Sequence, residues 1–337
     1  MQKLLSLLLG AVTVFTGSAF AQNATTTPVG AQTTTLAVGR NALGLPLLNP
    51  DLLSATATGL SGSSLSITGQ TNIGALLTAG EPYYIEVYGG TLKGDRFDVD
   101  TAATITAANG SVVLNSSSAN NSFPIASIGT SLDNASVVLR KHVTIEQVQA
   151  SISPALVGNN NSSLADQISF YDNSGNGYLS YYLRGDLTTW RRVGTTQTAN
   201  KTPIPPGVGV FFEKKGSPAT LVEVGSVRVN DFALKYSVGD QLLAPGFPIA
   251  VSPASLGATS TNGWTGNNSQ SSADRVSVYN PSLGGYDSFY LRGDGATWRK
   301  VGTTTVVTST DLVQPSQAYF VSRKTSDSVT LVNPIAP

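Results

Sequence analysis

The sequence predicts an all-β protein built of mainly antiparallel, sandwich- or barrel-like units, with one short helix per repeat. Three observations predict it. Short runs of Val, Ile, Tyr, Phe and Thr end repeatedly at Gly, Asn, Pro or Asp, as strands bounded by turns do. Helical periodicity is missing over any long window. A segment near the middle also recurs 108 residues later: DQISFYDNSGNGYLSYYLRGDLTTWRRVG at Asp166–Gly194 and DRVSVYNPSLGGYDSFYLRGDGATWRKVG at Asp274–Gly302 are identical at 17 of 29 positions without a gap.

Along the chain, the first residues are MQKLLSLLLGAVTVFTGSAFAQ. Lys3, the apolar run Leu4–Phe15 and the small-x-small triplet Ala19-Phe20-Ala21 read as a signal peptide over residues 1–21. The run is short for a bilayer span, so no integral membrane span is expected in the mature chain. The expected location is extracellular, on the outer surface, or in the periplasm of a bacterium. Residues 23–35, rich in Thr and Gln, read as a flexible leader. Gly80–Val113 alternates strand and turn signals and reads as a small sheet or barrel, giving an N-terminal region over 22–120. Thr144 followed by Gln147 has capping-box spacing, and Ser252-Pro253 stands at the equivalent position 108 residues on, so each repeat should open on a short helix. The repeats are placed at 121–228 and 229–337. Gly44-Leu45-Pro46-Leu47 with Asn49-Pro50 faintly echoes Gly246-Phe247-Pro248-Ile249 with Ser252-Pro253, a match too short to establish a third copy.

Composition narrows the function. Charged residues are only 12% of the 337, net charge is zero, Cys is absent and there is one His. No basic excess exists to attract nucleic acid. Thiolate zinc sites are excluded. Apolar residues at 40% argue against a disordered chain.

The segment YYIEVYGGTLKGDRFDV, the step Arg140-Lys141-His142-Val143-Thr144 and the run Trp190-Arg191-Arg192-Val193-Gly194 resemble a family of exported bacterial β-rich proteins with internal duplication and no assigned activity. The resemblance implies export, a β fold and paired units. It supplies no catalytic or binding residues.

Along Tyr178–Arg184, Tyr181 and Leu183 should face the core, while Tyr178, Ser180, Tyr182 and Arg184 face away. Tyr286, Tyr290 and Arg292 repeat the pattern. Placing Trp190 and Trp298 on that second face makes an aromatic and cationic platform suited to sugar rings, with Tyr178, Tyr182, Arg184, Trp190, Tyr286, Tyr290, Arg292 and Trp298 as candidate ligand-binding residues. The competing reading buries the Trp side chains as core anchors. Arg184-Gly185-Asp186 and Arg292-Gly293-Asp294 spell RGD twice, at positions where a hairpin wants Gly and Asp anyway. Asp172–Gly177 has the start of a calcium loop but Leu183 where the bidentate Glu belongs. His142 reads as structural, and Asp98 and Asp100, on one strand face with Arg96, read as an ordinary exposed strand. No GxSxG elbow is present. The expectation is a non-catalytic structural or adhesive component of the cell surface or extracellular matrix, with a polysaccharide or another surface component as partner and no cofactor. A carbohydrate-binding protein is the alternative, ahead of an Asp/Glu glycoside hydrolase.

Overall fold

The computed structural model describes residues 28–107, 110–172, 177–235, 238–280, 283–307, 312–325 and 328–335. The signal-peptide reading falls outside them. Strands dominate, and every pairing between them is antiparallel among the described residues. The chain is all-β, as expected.

Three hydrophobic cores form. One lies within residues 51–141, where six strands run in the order Arg96–Asp98, Tyr83–Val87, Ser136–Lys141, Asp51–Ser61, Ser64–Ile67, Ser111–Val113. A bridge between Val99 and Leu114 joins the two ends, closing the sheet into a small barrel. Ala57, Leu65, Ile85, Phe97, Val112 and Leu139 fill it.

The two repeats share one topology. In the first, a five-stranded sheet has the order Trp190–Arg192, Gly177–Leu183, Gln167–Asp172, Val210–Lys214, Gly39–Leu43. In the second the order is Trp298–Lys300, Gly285–Leu291, Arg275–Asn280, Tyr319–Arg323, Gly239–Leu243. A smaller sheet covers each: Val29–Leu36 with Ala219–Ser226 and Ile152–Ser153 in one, Phe232–Lys235 with Ser328–Leu331 in the other. The period of two decides which residues meet between the layers. Val210 and Phe212 point in while Phe211 and Glu213 point out; Tyr319 and Val321 point in while Phe320 and Ser322 point out.

This arrangement redraws the expected boundaries. Val29–Leu36 is a strand paired along its whole length with Ala219–Ser226, not a flexible leader. Leu36, Leu43 and Leu45 belong to the core of the first repeat, while Ile125, Ile128, Leu132 and Val137 belong to the barrel. A division at 120/121 therefore cuts the barrel. The first repeat begins near residue 28, breaks off after Pro50 and resumes at His142, with the barrel inserted between. Asp51 and Arg140 are cross-strand partners, so the insert leaves and returns through neighbouring strands. Asn49 ties the neck by donating from Nδ2 to the carbonyls of Lys141 (3.1 Å) and His142 (3.0 Å). The Gly44–Pro50 echo is thus the front end of the first repeat rather than a third copy.

Of the two expected helices only the first forms. Ile145–Ala150 is an α-helix whose Gln147 accepts from the Thr144 amide at 3.0 Å. In the second repeat Ser252 accepts from Ser255 and Leu256, closing one turn, and the chain then runs on in turns. Gly257 stands where a helix would have to continue.

The repeats pack as a pseudo-twofold pair. Leu43 of the first bridges Gln317 of the second, and Leu243 of the second bridges Val208 of the first. Gly44 donates to the Ser316 carbonyl (2.8 Å), and its counterpart Ala244 donates to that of Gly207 (2.9 Å). Gly209 lets the backbones meet: a Cβ there would stand 2.7 Å from Leu242 Cγ and 2.9 Å from the Leu242 carbonyl carbon.

Candidate functional site

The proposed aromatic platform does not form, and register explains why. Leu183 lies directly opposite Trp190, and Leu291 opposite Trp298. Cross-strand partners share a face, so each Trp goes to the core side with Leu, not to the outer side with Tyr. Trp190 and Trp298 are 1% and 2% exposed. Their indole N–H groups donate to Gln149 Oε1 (2.6 Å) and the Ala258 carbonyl (2.7 Å). Tyr182 and Tyr290 are also buried. Arg184 and Arg292 are half-buried beside Asp186 (3.7 Å) and Asp294 (3.5 Å).

Tyr178 and Tyr286 do reach the surface, at 39% and 50% exposure. They belong to an aromatic seam running across the pseudo-dyad. Tyr171 meets Tyr178 (5.5 Å between ring centroids), Tyr178 meets Phe211 (5.7 Å), and Phe211 meets Phe320 (5.9 Å). Phe320 in turn meets Tyr286 (5.5 Å), and Tyr286 meets Tyr279 (5.5 Å). Arg40 lies over Phe211 at 5.2 Å. Contacts between rings are tilted or edge-on, so no flat stacking surface results. The seam also ties the repeats together: the Leu242 amide donates to the Tyr178 hydroxyl at 2.9 Å.

A second feature was not anticipated. Beside the helix Ile145–Ala150 lies a cleft of about 240 Å³, lined by Leu45, Leu48, Val143, Val148, Leu221 and Glu223 among others. Glu223 is its only ionisable lining group. Burial pushes this carboxyl up to about 8, with the nearby Ser316 hydroxyl offsetting a small part. Its Oε2 has no hydrogen-bond partner among the described residues. At neutral pH the group is a neutral hydrogen-bond donor in an apolar wall. Glycoside hydrolysis requires two carboxyl groups across a cleft, and this one holds a single acid. The signal was in TLVEV: Leu221 and Glu223 share a strand face, so an inward Leu implies an inward Glu.

The carboxylates that the sequence singled out are engaged structurally. Asp186 accepts from the amides of Thr188 (3.0 Å) and Thr189 (2.8 Å); Asp294 accepts from Ala296 (3.0 Å) and Thr297 (2.8 Å). These backbone bonds hold both carboxyls down at about 2. The RGD aspartates thus cap their own turns. Asp98 and Asp100 are not on an exposed strand face. Asp98 meets His142 Nε2 at 2.9 Å, and Asp100 accepts from Ala103 at the start of the helix Thr101–Thr106. Burial raises the Asp98 carboxyl, but His142, Ser118 and Asn120 together hold it at about 2. Arg96 is buried and donates to the Pro206 carbonyl, tying the barrel to the first repeat.

Buried ion pairs complete the picture. Glu86, Arg140 and Arg228 are all fully buried, and Glu86 pairs with both arginines. Glu86 and Arg140 come from the barrel; Arg228 comes from the connection between the repeats. Within each repeat an Asp joins the last inward residue of a core strand: Asp166 with Lys214 (3.0 Å), and Asp274 with Arg323. Residues 173–176 of the calcium-loop-like turn lie outside the described residues. Among the described residues no group of three His, Cys, Asp or Glu is placed to hold a metal ion, and no helix is long and apolar enough to cross a membrane. No family model, curated protein or solved structure matches this chain.

Proposed function

We propose that the chain is an exported, non-catalytic structural or adhesive component of a bacterial cell surface. The observation that carries this reading is the fusion of three cores by interior polar contacts. The repeats exchange backbone hydrogen bonds across a pseudo-dyad, and the Glu86–Arg140–Arg228 cluster locks the barrel onto their junction. Buried charges arranged this way fix domain positions. The signal-peptide pattern and the resemblance to exported β-rich proteins support location. The test is deletion and complementation. Cells lacking the chain should lose surface cohesion or attachment, wild type should restore it, and the tagged chain should be recovered from the envelope or medium. Cytoplasmic recovery, or polysaccharide turnover lost on Glu223→Gln, overturns the reading.

The exposed Tyr178, Tyr279 and Tyr286 favour a second reading, sugar binding along the seam rather than on Trp. A glycan array probed with wild type and with Tyr178→Ala/Tyr286→Ala separates the two: binding lost in the double variant supports it, and no binding by wild type removes it.

A further inference from the structure

Val29–Leu36 forms one edge of the small sheet of the first repeat, and its inner edge pairs with Ala219–Ser226. Ser226 exchanges both backbone bonds with Leu48 on the far side of its strand. This sets the parity. Gly30, Gln32, Thr34 and Leu36 direct their backbone groups inward to the ladder, and Val29, Ala31, Thr33 and Thr35 direct theirs outward. Four N–H and four C=O groups thus face away from the sheet. The one contact to them among the described residues is a long bond of 3.4 Å from the Gln32 side chain to the Thr33 carbonyl.

An open edge is a template for another strand, and proteins normally blunt it with charge, proline, shortness or cover. Four other edges here follow that rule. Ile152–Ser153 is two residues long and runs into Pro154. Trp190–Arg192 and Trp298–Lys300 are covered by bonds to Gln197 and Thr305. Phe232–Lys235, the counterpart of this strand in the second repeat, is covered by the barrel through the Ala233 amide and Gly94 carbonyl (2.9 Å). Val29–Leu36 is eight residues long and has neither charge nor proline. Its exposed face carries Val29, Ala31, Thr33 and Thr35 beside exposed Val222 and Val224.

We propose that Val29–Leu36 pairs antiparallel with the same strand of a second copy of this chain, joining two three-stranded sheets into one of six. The occupant is a copy because the edge is complementary to itself. With the dyad at Gln32, Val29 faces Thr35 and Ala31 faces Thr33 of the other copy. All eight outward groups are then used, and no like charges meet. Centring one residue further on, at Thr33, leaves the Val29 groups unpaired. The pairing deepens the scaffold reading by naming what the chain assembles with, and it is read out separately from that reading: surface function can survive while dimerisation fails.

The experiment is light scattering coupled to size exclusion on the full secreted chain over a wide concentration range. Wild type should show twice the monomer mass. Thr33→Pro removes one outward donor and leaves the inner ladder intact, so it should run as monomer with unchanged thermal unfolding. Ala31→Lys, which puts a charge on the edge, should do the same and covers the case in which the proline variant misfolds. Register is tested by cysteine. Gln32→Cys should form a spontaneous intermolecular disulfide, since residues in a non-hydrogen-bonded pair sit about 4.5 Å apart and the chain has no other Cys. Thr34→Cys should not. A monomeric wild type, a dimer that survives both edge variants, or cross-linking at 34 rather than 32 overturns the proposal. So does protection of the edge by residues 22–27 of the same chain, visible as a monomer that dimerises only when they are removed.

Discussion

The two repeats are the same fold solved twice, once interrupted and once not. The first accommodates a whole barrel between Pro50 and His142; the second runs straight through the equivalent Ala250-Val251. Interruption costs little topologically because the insert departs and returns on paired strands, where chain ends lie close. The differences in detail follow the neighbours. Trp298 packs edge-on against Trp264 at 5.6 Å, whereas the position equivalent to Trp264 in the first repeat is Leu156, a member of the same core as Trp190. Lys214 reaches Asp166 and its neighbour's carbonyl at Lys215 (2.7 Å); Arg323 reaches Asp274 and the Gly263 carbonyl (2.8 Å). At the position where the first repeat buries Glu223, the second has Asn333, whose side-chain oxygen accepts from the Ile335 amide at 2.8 Å. The second repeat buries the Tyr319 hydroxyl without a hydrogen-bond partner among the described residues. The first leaves one carboxyl unsatisfied and one strand edge open.

The two repeats differ most in energy at the Trp pair. Trp190→Ala and Trp298→Ala should each cost about 3–5 kcal/mol in denaturant unfolding, because both remove large, fully buried rings. The second should cost more, since it also strips Trp264 of its ring partner. Equal and small losses would mean that the rings are not core anchors. Glu86→Gln should fall in the same range, about 3–5 kcal/mol, because it leaves Arg228 buried with no ion-pair partner among the described residues, while Arg140 keeps Asp51. Arg323→Lys should cost about 1–3 kcal/mol through the stranded Gly263 carbonyl, against a smaller effect for Lys214→Arg.

Glu223 sharpens the contrast through pH. Its folded value is raised to about 8 from an ordinary 4.5, so the folded state holds a proton that the unfolded state has released over that interval. Stability contributed by this group is therefore highest below about pH 4.5, declines as pH rises towards 8, and is level above it. Glu223→Gln, which copies the neutral character of Asn333, should remove that decline and stabilise the chain by a few kcal/mol at pH 8 and above. Thermal unfolding of both proteins from pH 5 to pH 9 reads this directly. Parallel pH profiles for wild type and variant would show that Glu223 titrates as an ordinary surface acid.

How much of this was legible in the sequence depended on distance along the chain. The repeat announced itself because Asp166–Gly194 and Asp274–Gly302 keep register without a gap. The front of the first repeat did not, because an inserted barrel carries Gly39–Leu43 far from the strand Val210–Lys214 that it completes. A short echo such as Gly44–Pro50 becomes interpretable only once that pairing is seen. Alternation predicted Tyr181 and Leu183 inward, and they are. The Trp residues were misplaced because alternation within a strand says nothing about its partner; hairpin register sets Leu183 against Trp190. Ion pairs such as Asp166–Lys214 join residues that no local pattern connects.

The smallest expected effect isolates backbone from side chain. After each RGD triplet the two turns diverge: Leu187 takes φ +61°, while in the second repeat the left-handed residue is Gly295, at φ +72°. A side chain at positive φ costs about 1–2 kcal/mol, and Leu has no polar group to relieve it. Leu187 is half-exposed, so its removal forfeits little burial. Leu187→Gly should thus stabilise by about 1 kcal/mol, reduced by the greater freedom that Gly gives the unfolded chain. The reverse change should cost more than it recovers, because a Cβ on Gly295 would stand 2.7 Å from Ser260 Oγ as well as carrying the strain. Denaturant midpoints of Leu187→Gly and Gly295→Leu should therefore move in opposite directions, the second further than the first. Movement of both in the same direction would mean that these turns, alike in sequence up to their aspartates, are held by contacts beyond the turn itself.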